Sequence, residues 1–431
     1  MHKIYLLIIG IIAFVPIHAQ SDYADFLLDS LCSDEFAGRG YVQNGDLKAA
    51  KFIRNQFKSL GIKQYQNRSY FQEFDIAINT FPDTVNIEIN GEKLRAGIDY
   101  LVDGASGAQK GSFKCISIKK KQLLNINKFM KEVAKDKLKN VFLVVYKDEF
   151  KTKTEKELYH NTLMTIKQYE GFELAGIIEI TNEKLTWVPS TKYTGIPILI
   201  FNAKTISYPI EEINIHLNQK FHDVYFTQNV IGHIKGSHYP DSFIYITAHY
   251  DHLGKMGSKT IFRGANDNAS GVAMMLSLAK HYSKHPPKYS ILFVAFAAEE
   301  IGLLGSNHFT KYPFIPHENI KLVLNFDLLG TGQEGIAIVN GAKYLKDIQT
   351  INYFNDLNQY VSKIKVRANA ANSDHYYFSK KGVKSFFIYT MGGTKAYHDI
   401  YDNPESLPFT KFNNVMNLMI NYLNFTQKMI Y

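Results

Sequence analysis

Cysteine is scarce in this sequence: its 431 residues contain two, Cys32 and Cys115. No CxxC and no cluster of Cys with His is present, which excludes a structural zinc finger. No apolar run reaches the roughly 20 residues of a comfortable membrane-spanning helix. Internal repeats and low-complexity tracts are also missing. With 45% hydrophobic and 14% aromatic residues, the chain has ample material for a core, so wholesale disorder is excluded. Acidic residues fall short of basic ones, giving a formal net charge of +9. A nucleic acid or a membrane surface would suit that sign. However, the densest basic cluster, Lys119 to Lys121, is short and has no interleaved aromatics. No nucleic-acid motif surrounds it, so the excess reads as a solvated, lysine-rich surface and no nucleic-acid partner is expected.

The length suggests two or three domains. At the N-terminus, Lys3 precedes an apolar run from Ile4 to Val15, and Ile17-His18-Ala19 offers a small residue for cleavage. This pattern predicts a leader over residues 1–20 and a mature chain starting near Gln20 or Ser21. The expected destination is the periplasm or the medium, with no stable membrane insertion after cleavage. An uncleaved anchor is the alternative; a lipoprotein anchor is not expected, because no cysteine closely follows the run. Export would permit a Cys32–Cys115 disulfide, contributing about 4 kcal/mol on a chain-entropy argument. Two buried free thiols are the other reading.

Residues 21–80 are read as the N-terminal part of the catalytic domain, with Asp22 to Leu60 expected to be largely helical. Ala49, Ala50, Ile53, Phe57 and Leu60 recur at helical spacing before Gly61, and a glycine-bearing loop from Cys32 to Gly40 divides the stretch. Over 81–221 strand-like runs appear at Val85–Ile89, Asn140–Tyr146, Gly176–Ile180 and Ile196–Phe201. Few candidate catalytic groups lie here; His160, His216 and Trp187 are scattered. The stretch is read as a separate, mostly β domain. Residues 222–431 are read as one further domain, in which from Gln228 onward strands alternate with helices: strands at Phe243–Ala248, Ile291–Ala297, Leu322–Phe326 and Lys384–Tyr389, and helices at Gly271–Tyr282, Leu345–Val361 and Phe412–Thr426. This alternation predicts an α/β three-layer sandwich around a mostly parallel, mixed sheet.

Five short motifs sit at or just after these strands or turns. Open α/β sheets bind ligands at the carboxyl ends of their strands, so the motifs can converge on one crevice. Ala248-His249-Tyr250-Asp251-His252 ends the first strand; His249 is a candidate metal ligand, with Asp251 two residues on to orient its ring. In Gly264-Ala265-Asn266-Asp267-Asn268-Ala269-Ser270-Gly271, Asp267 is the one carboxylate, and its two oxygens suit a bridge between two metals. An ordinary helix cap is the plainer reading. Ala298-Glu299-Glu300 follows a buried strand, where paired carboxylates are costly unless something neutralises them. A metal would do so for Glu300 and leave Glu299 free as a general base. Asn325-Phe326-Asp327 ends another strand. Tyr397-His398-Asp399-Ile400-Tyr401-Asp402 follows a Gly-Gly turn and offers a second histidine, with a neighbouring phenol to steady an oxyanion.

Each motif alone has a plain structural reading. Together they supply two histidines and three carboxylates, enough for two metals with about three protein ligands each if one carboxylate bridges. Such a nitrogen and oxygen set suits zinc, with cobalt and manganese as alternatives.

In this order, HYDH, GANDNASG, AEEIGLLGS, NFD, SDH and YH resemble the dizinc aminopeptidase S and aminopeptidase Y family of exopeptidases. The resemblance implies two zinc ions and peptide substrates. By that resemblance Asp267 bridges, Glu300 and His398 complete one zinc site, and His249 and Asp327 complete the other. It makes Glu299 the base, Asp251 the partner of His249, Tyr397 the tyrosine before the last ligand, and Ser373-Asp374-His375 a support for the pocket. A small residue where Cys32 sits favours a buried thiol there. The segment around Gly176 to Phe201 is similar to a protease-associated domain, inserted so as to split the catalytic domain. The sequence departs from the family pattern at Asp399-Ile400, where Thr-Pro is common, and at Leu328, where methionine is frequent. Some relatives are carboxypeptidases or dipeptidases, single-zinc glutaminyl cyclases or non-catalytic receptors, which stand as alternatives.

Overall fold

The computed structural model describes residues 18–132, 138–168 and 173–429. The expected leader therefore lies outside the described residues except for its last three positions. Among the described residues, no helix is long and apolar enough to cross a membrane.

Among the described residues, eighteen strands and ten α-helices follow in chain order. Helices α1 (His18–Leu31) and α2 (Gly45–Ser59) flank the glycine-bearing loop. Strand β1 (Phe71–Thr80) leads into a second unit. That unit contains β2 (Val85–Ile89), β3 (Glu92–Lys93), β4 (Tyr100–Val102), β5 (Gln109–Ser117), α3 (Lys120–Leu123), α4 (Ile126–Glu132), β6 (Phe142–Tyr146), α5 (Lys153–Gln168), β7 (Gly176–Thr181), β8 (Ile198–Asn202) and β9 (Glu212–Leu217). The chain returns through β10 (Lys220–Ile234) to β11 (Tyr239–His249), a short hairpin of β12 (Gly254–Met256) and β13 (Thr260–Phe262), then α6 (Ser270–Lys284) and β14 (Tyr289–Phe296). It ends with α7 (Leu304–Lys311), β15 (Ile320–Phe326), β16 (Ile336–Val339), α8 (Leu345–Asn358), β17 (Ile364–Val366), α9 (His375–Lys380), β18 (Ser385–Thr390) and α10 (Phe412–Met429).

The first sheet runs β1-β10-β14-β11-β15-β18-β16-β17. Its centre is parallel, where β11 lies between β14 and β15 and β15 pairs with β18; β1, β10 and β16 add antiparallel pairings. The central strands are continuous apolar runs because both of their faces are covered. Ile291, Phe293 and Ala295 of β14 face a core shared with Leu27, Ile53, Met275 and Met419 of α1, α2, α6 and α10. Leu292, Val294 and Phe296 face the opposite core, with Phe309 of α7 and Phe378 of α9. Helices, sheet and helices thus form the expected three layers.

The second sheet runs β3-β2-β9-β5-β6-β7-β8-β4. One face packs Phe142 and Val144 against Leu253, Met256 and Phe262 of the β12–β13 hairpin and the turn before it. The other face packs Leu143 and Val145 under Leu123, Phe129 and Leu163 of α3, α4 and α5. The unit is therefore less purely β than its sequence suggested. Its helices turn lysine and glutamate outward, and their few inward apolar residues are too sparse to announce a core. Strand β1 was also not evident beforehand. It is an edge strand whose exposed Glu73 and Asp75 alternate with buried Phe74 and Ile76, so only half of it is apolar. Cys32 and Cys115 are both free, Cys32 in the first core and Cys115 beside the second.

Candidate metal centre

Parallel pairing places the ends of β14, β11 and β15 side by side, with His249 opposite Phe296 and Thr247 opposite Asn325. Each strand is buried over its closing residues, and the ligand candidates stand at or just past its end. His249, Glu299-Glu300 and Asp327 therefore emerge along one edge. Asp267 comes from the turn that opens α6, and His398 from the loop after β18.

All five ligand candidates meet. His249 Nε2 is 3.4 Å from Asp267 Oδ1 and 3.4 Å from Asp327 Oδ1. His398 Nε2 is 3.2 Å from Asp267 Oδ2 and 3.0 Å from Glu300 Oε2. Asp267 thus presents a different oxygen to each histidine. Despite these separations, the buried atoms His398 Nε2 and Asp327 Oδ1 have no partner in hydrogen-bond geometry. Buried donor atoms that face neighbouring ligand atoms without pairing fit cations held between them, and nitrogen with carboxylate oxygen is the donor chemistry zinc accepts. The residues present therefore fit the implied metals. Among the described residues, two three-residue groupings have ligand atoms close enough to share an ion: His249, Asp267 and Asp327, and His252, Asp267 and Glu300.

The second grouping introduces His252, which was quoted within the first motif but given no role. Its Nδ1 lies 2.6 Å from Glu300 Oε1 in hydrogen-bond geometry, so the ring donates to the carboxylate and fixes its plane. The other oxygen, Oε2, is left to His398. His252 is accordingly an orienter of Glu300, and His398 the ligand candidate.

Charge is concentrated here. Burial by itself would drive the His249 imidazole down, but the Glu299 and Asp327 carboxylates outweigh it and hold it well above its usual range. Burial likewise opposes protonation of His398, yet Glu300 and Asp267 raise it to about 11. Asp267 is held well below the usual carboxylate range, with its burial outweighed by the two histidines. Burial and the surrounding carboxylates push Glu299 well up, although His249 partly offsets them.

Glu299 Oε2 lies 4.0 Å from His249 Nε2, beside the cluster rather than within it. Asp251 is placed differently from the simplest expectation. His249 Nδ1 bonds the Asp251 backbone carbonyl at 3.2 Å, while the carboxylate sits 3.7 Å from that nitrogen. The carboxylate instead accepts the N–H groups of Glu299 at 3.1 Å and Glu300 at 3.4 Å, tying the first motif to the third. Tyr397 stacks on His398, ring centroids 4.0 Å apart, and stays half exposed at the mouth. Ala298, Leu328 and His398 all adopt positive φ beside the cluster. Such backbone costs about 1–3 kcal/mol per residue and persists only where the surroundings impose it.

Three further supports surround the cluster; Asp402 and Arg39 had been given no role, whereas the Ser373-Asp374-His375 triplet was expected to support the pocket. Asp402 accepts the N–H groups of Asn266 at 2.8 Å and Asp267 at 3.0 Å, fixing the bridging residue's backbone. Arg39 is fully buried, and its guanidinium donates to the carbonyls of Leu31, Tyr250, Arg263 and Gly264 at 2.6–2.9 Å. It thereby clamps the loops that carry His249 and Asp267. Asp374 of the SDH triplet is buried behind the cluster, where burial pushes its carboxyl up to about 7. Its neighbour Ser373 donates to Asp327 Oδ2 at 2.8 Å.

Residues 229–423 match the model of Peptidase family M28. The chain is 33% identical over 170 residues to aminopeptidase YwaD of Bacillus subtilis, covering 37% of this chain and 35% of that protein. It is 34% identical over 128 residues to a probable zinc metalloprotease of Pyricularia oryzae, covering 29% of this chain and 24% of the relative. The matched segment thus spans about a third or less of these curated relatives. Among solved structures, BSAP, a zinc aminopeptidase from Bacillus subtilis, superposes with a TM-score of 0.68 over 95% of this chain and 96% of its own, at 18% identity. A peptidase M28 precursor from Shewanella amazonensis SB2B gives 0.64 over 95% and 97%, at 17% identity. At those identities the superpositions establish the shared α/β fold with its inserted unit.

Proposed function

We propose that this chain, with its Peptidase family M28 segment, is an exported dizinc aminopeptidase that removes N-terminal residues from peptides. One observation carries the reading: the two carboxylate oxygens of Asp267 face different histidines, His249 and His398. A ligand common to two metals requires that arrangement, whereas an ordinary helix cap would spend its carboxylate on backbone N–H groups. In this assignment His249 and Asp327 complete one site, and Glu300 and His398 the other. The second unit, from about residue 81 to 221, is assigned as the insert that splits the catalytic domain.

Bound zinc would supply Lewis-acid polarisation of the scissile carbonyl and a lowered pKa for the attacking water. The protein's own groups do the rest. Glu299, next to the ligands but not among them, accepts the water's proton at its carboxylate and passes it to the departing amine. Tyr397 donates its phenol hydrogen to the oxyanion that develops on the substrate. Asp251 fixes Glu299 through that residue's backbone N–H. His252 holds Glu300 so that Glu299 and Glu300 keep separate roles.

The test is a substrate profile on metal-depleted protein reloaded with zinc. The expectation is about two ions per chain, as in two-metal hydrolases, with cleavage of free-amino reporter peptides and none of their N-acetylated counterparts. Cleavage confined to C-terminal reporters, cyclisation of N-terminal glutamine, or no turnover in the loaded protein would each overturn the assignment.

A further inference from the structure

Two residues of the second unit, Lys184 and Trp187, reach across to the loop that carries His398. Both lie between β7 and β8. Lys184 Nζ is 2.5 Å from Asp399 Oδ2 and donates to the backbone carbonyls of Lys395 at 2.7 Å and Tyr397 at 3.1 Å. The backbone N–H of Trp187 donates to the carbonyl of His398 itself at 2.8 Å. The strap is anchored at its far end. The Trp187 indole donates to Val102 O at 2.7 Å and stacks on Phe262 with centroids 4.8 Å apart, inside the core beneath the second sheet.

The loop it grips needs holding. His398 sits at φ +53°, a left-handed conformation that a histidine adopts only under constraint. Asp399 has only 5% of its side chain exposed, and among the described residues Lys184 is the one cation paired with it, itself 45% exposed. The other Asp399 oxygen accepts the Tyr401 N–H at 2.8 Å. This pairing also accounts for Asp399, which departs from the family pattern: its acid partners a lysine supplied by the second unit.

We infer that residues 184–187 form a positioning strap that fixes the His398 loop in its ligating conformation, with Lys184 and Trp187 as positioning residues. The inference rests on the reading of His398 as a metal ligand. An imidazole delivered by a loop with strained backbone holds its metal only as well as the loop is held, and loss of such outer partners typically costs 10–100-fold in metal affinity. The second unit is then part of the metal site and not an appendage to it.

The experiment follows zinc release from the full-length protein to a chromogenic chelator for wild type, Lys184→Met, Asp399→Asn, the double variant and His398→Ala. Lys184→Met is expected to release one ion roughly tenfold faster, leaving the other ion's release unchanged. The double variant should be no worse than the singles, since both remove one pairing, and Lys184→Arg should restore slow release. Melting of the metal-free protein should move by no more than about 2 °C. Release at the wild-type rate in Lys184→Met overturns the strap. Equal acceleration of both ions together with a lowered metal-free melting point also overturns it, because that marks general destabilisation. His398→Ala separates the two claims: if it keeps both ions at wild-type rates, the ligand assignment fails; if it loses one while Lys184→Met loses neither, only the strap fails.

Discussion

His398 Nε2 lies 3.2 Å from Asp267 Oδ2, although the two residues belong to loops that follow different elements, β13 and β18. His249 Nε2 stands 3.4 Å from the other oxygen of the same carboxylate. Asp267→Ala therefore removes the one group shared by both halves of the cluster. Metal analysis of this variant should find both ions lost and peptidase turnover gone with them. Full occupancy of both sites would remove the bridging role.

Glu299→Gln keeps the size of the side chain and the backbone N–H that Asp251 accepts, so both metals should stay. The variant has no basic carboxylate, and kcat should fall by about 10²–10⁴. Steady-state kinetics with parallel metal analysis checks this. Turnover within a few-fold of wild type would mean that another group takes the proton.

Arg39 should matter for stability more than its place in an early loop suggests. Arg39→Met would take a charged donor away from four carbonyls, three of them in buried bonds, including those of Tyr250 and Gly264 beside the ligands. The expected loss is at least about 3 kcal/mol. Arg39→Lys should recover only part of it, since an ammonium lacks the planar fork. Denaturant unfolding of the metal-free proteins measures both. Equal stability of the methionine variant and wild type would contradict the clamp.

Asp46 gives a pH signature away from the metals. It is buried in α2 and accepts Tyr225 Oη–H at 2.7 Å and Thr227 Oγ1–H at 2.9 Å. Burial pushes its carboxyl up to about 6, although those hydrogen bonds restrain the rise. The folded protein then binds this proton more tightly than the unfolded chain. The stability gained is complete below the ordinary value of 3.8 and is lost as pH rises through about 6. Relative to Asp46→Asn, wild type should lose on the order of 3 kcal/mol between pH 4 and pH 7. Unfolding curves of the two metal-free proteins at intervals across that range decide it; a constant difference would contradict the shift.

The sequence alone determined the placement of the candidate ligands along the chain, because the physics behind it is local. Runs such as Ile291–Phe296 are apolar on both faces only in a strand buried from both sides, and a carboxylate pair directly after one marks where that strand meets solvent or a site. His249, Glu299, Glu300 and Asp327 stood out as candidates for that reason, and the main helices of residues 222–431 were legible from their periodicity. Only the tertiary structure decided which groups hold them in place. Arg39 and Asp402 bind backbone N–H and carbonyl groups, which every residue carries, so no pattern of side chains announces them. His252 was visible, but its separation from His398 in role depends on a hydrogen-bond angle that sequence spacing does not encode. The single tryptophan was merely scattered in the sequence; it lies in the second core, which it shares with the β12–β13 hairpin, and its backbone N–H reaches His398.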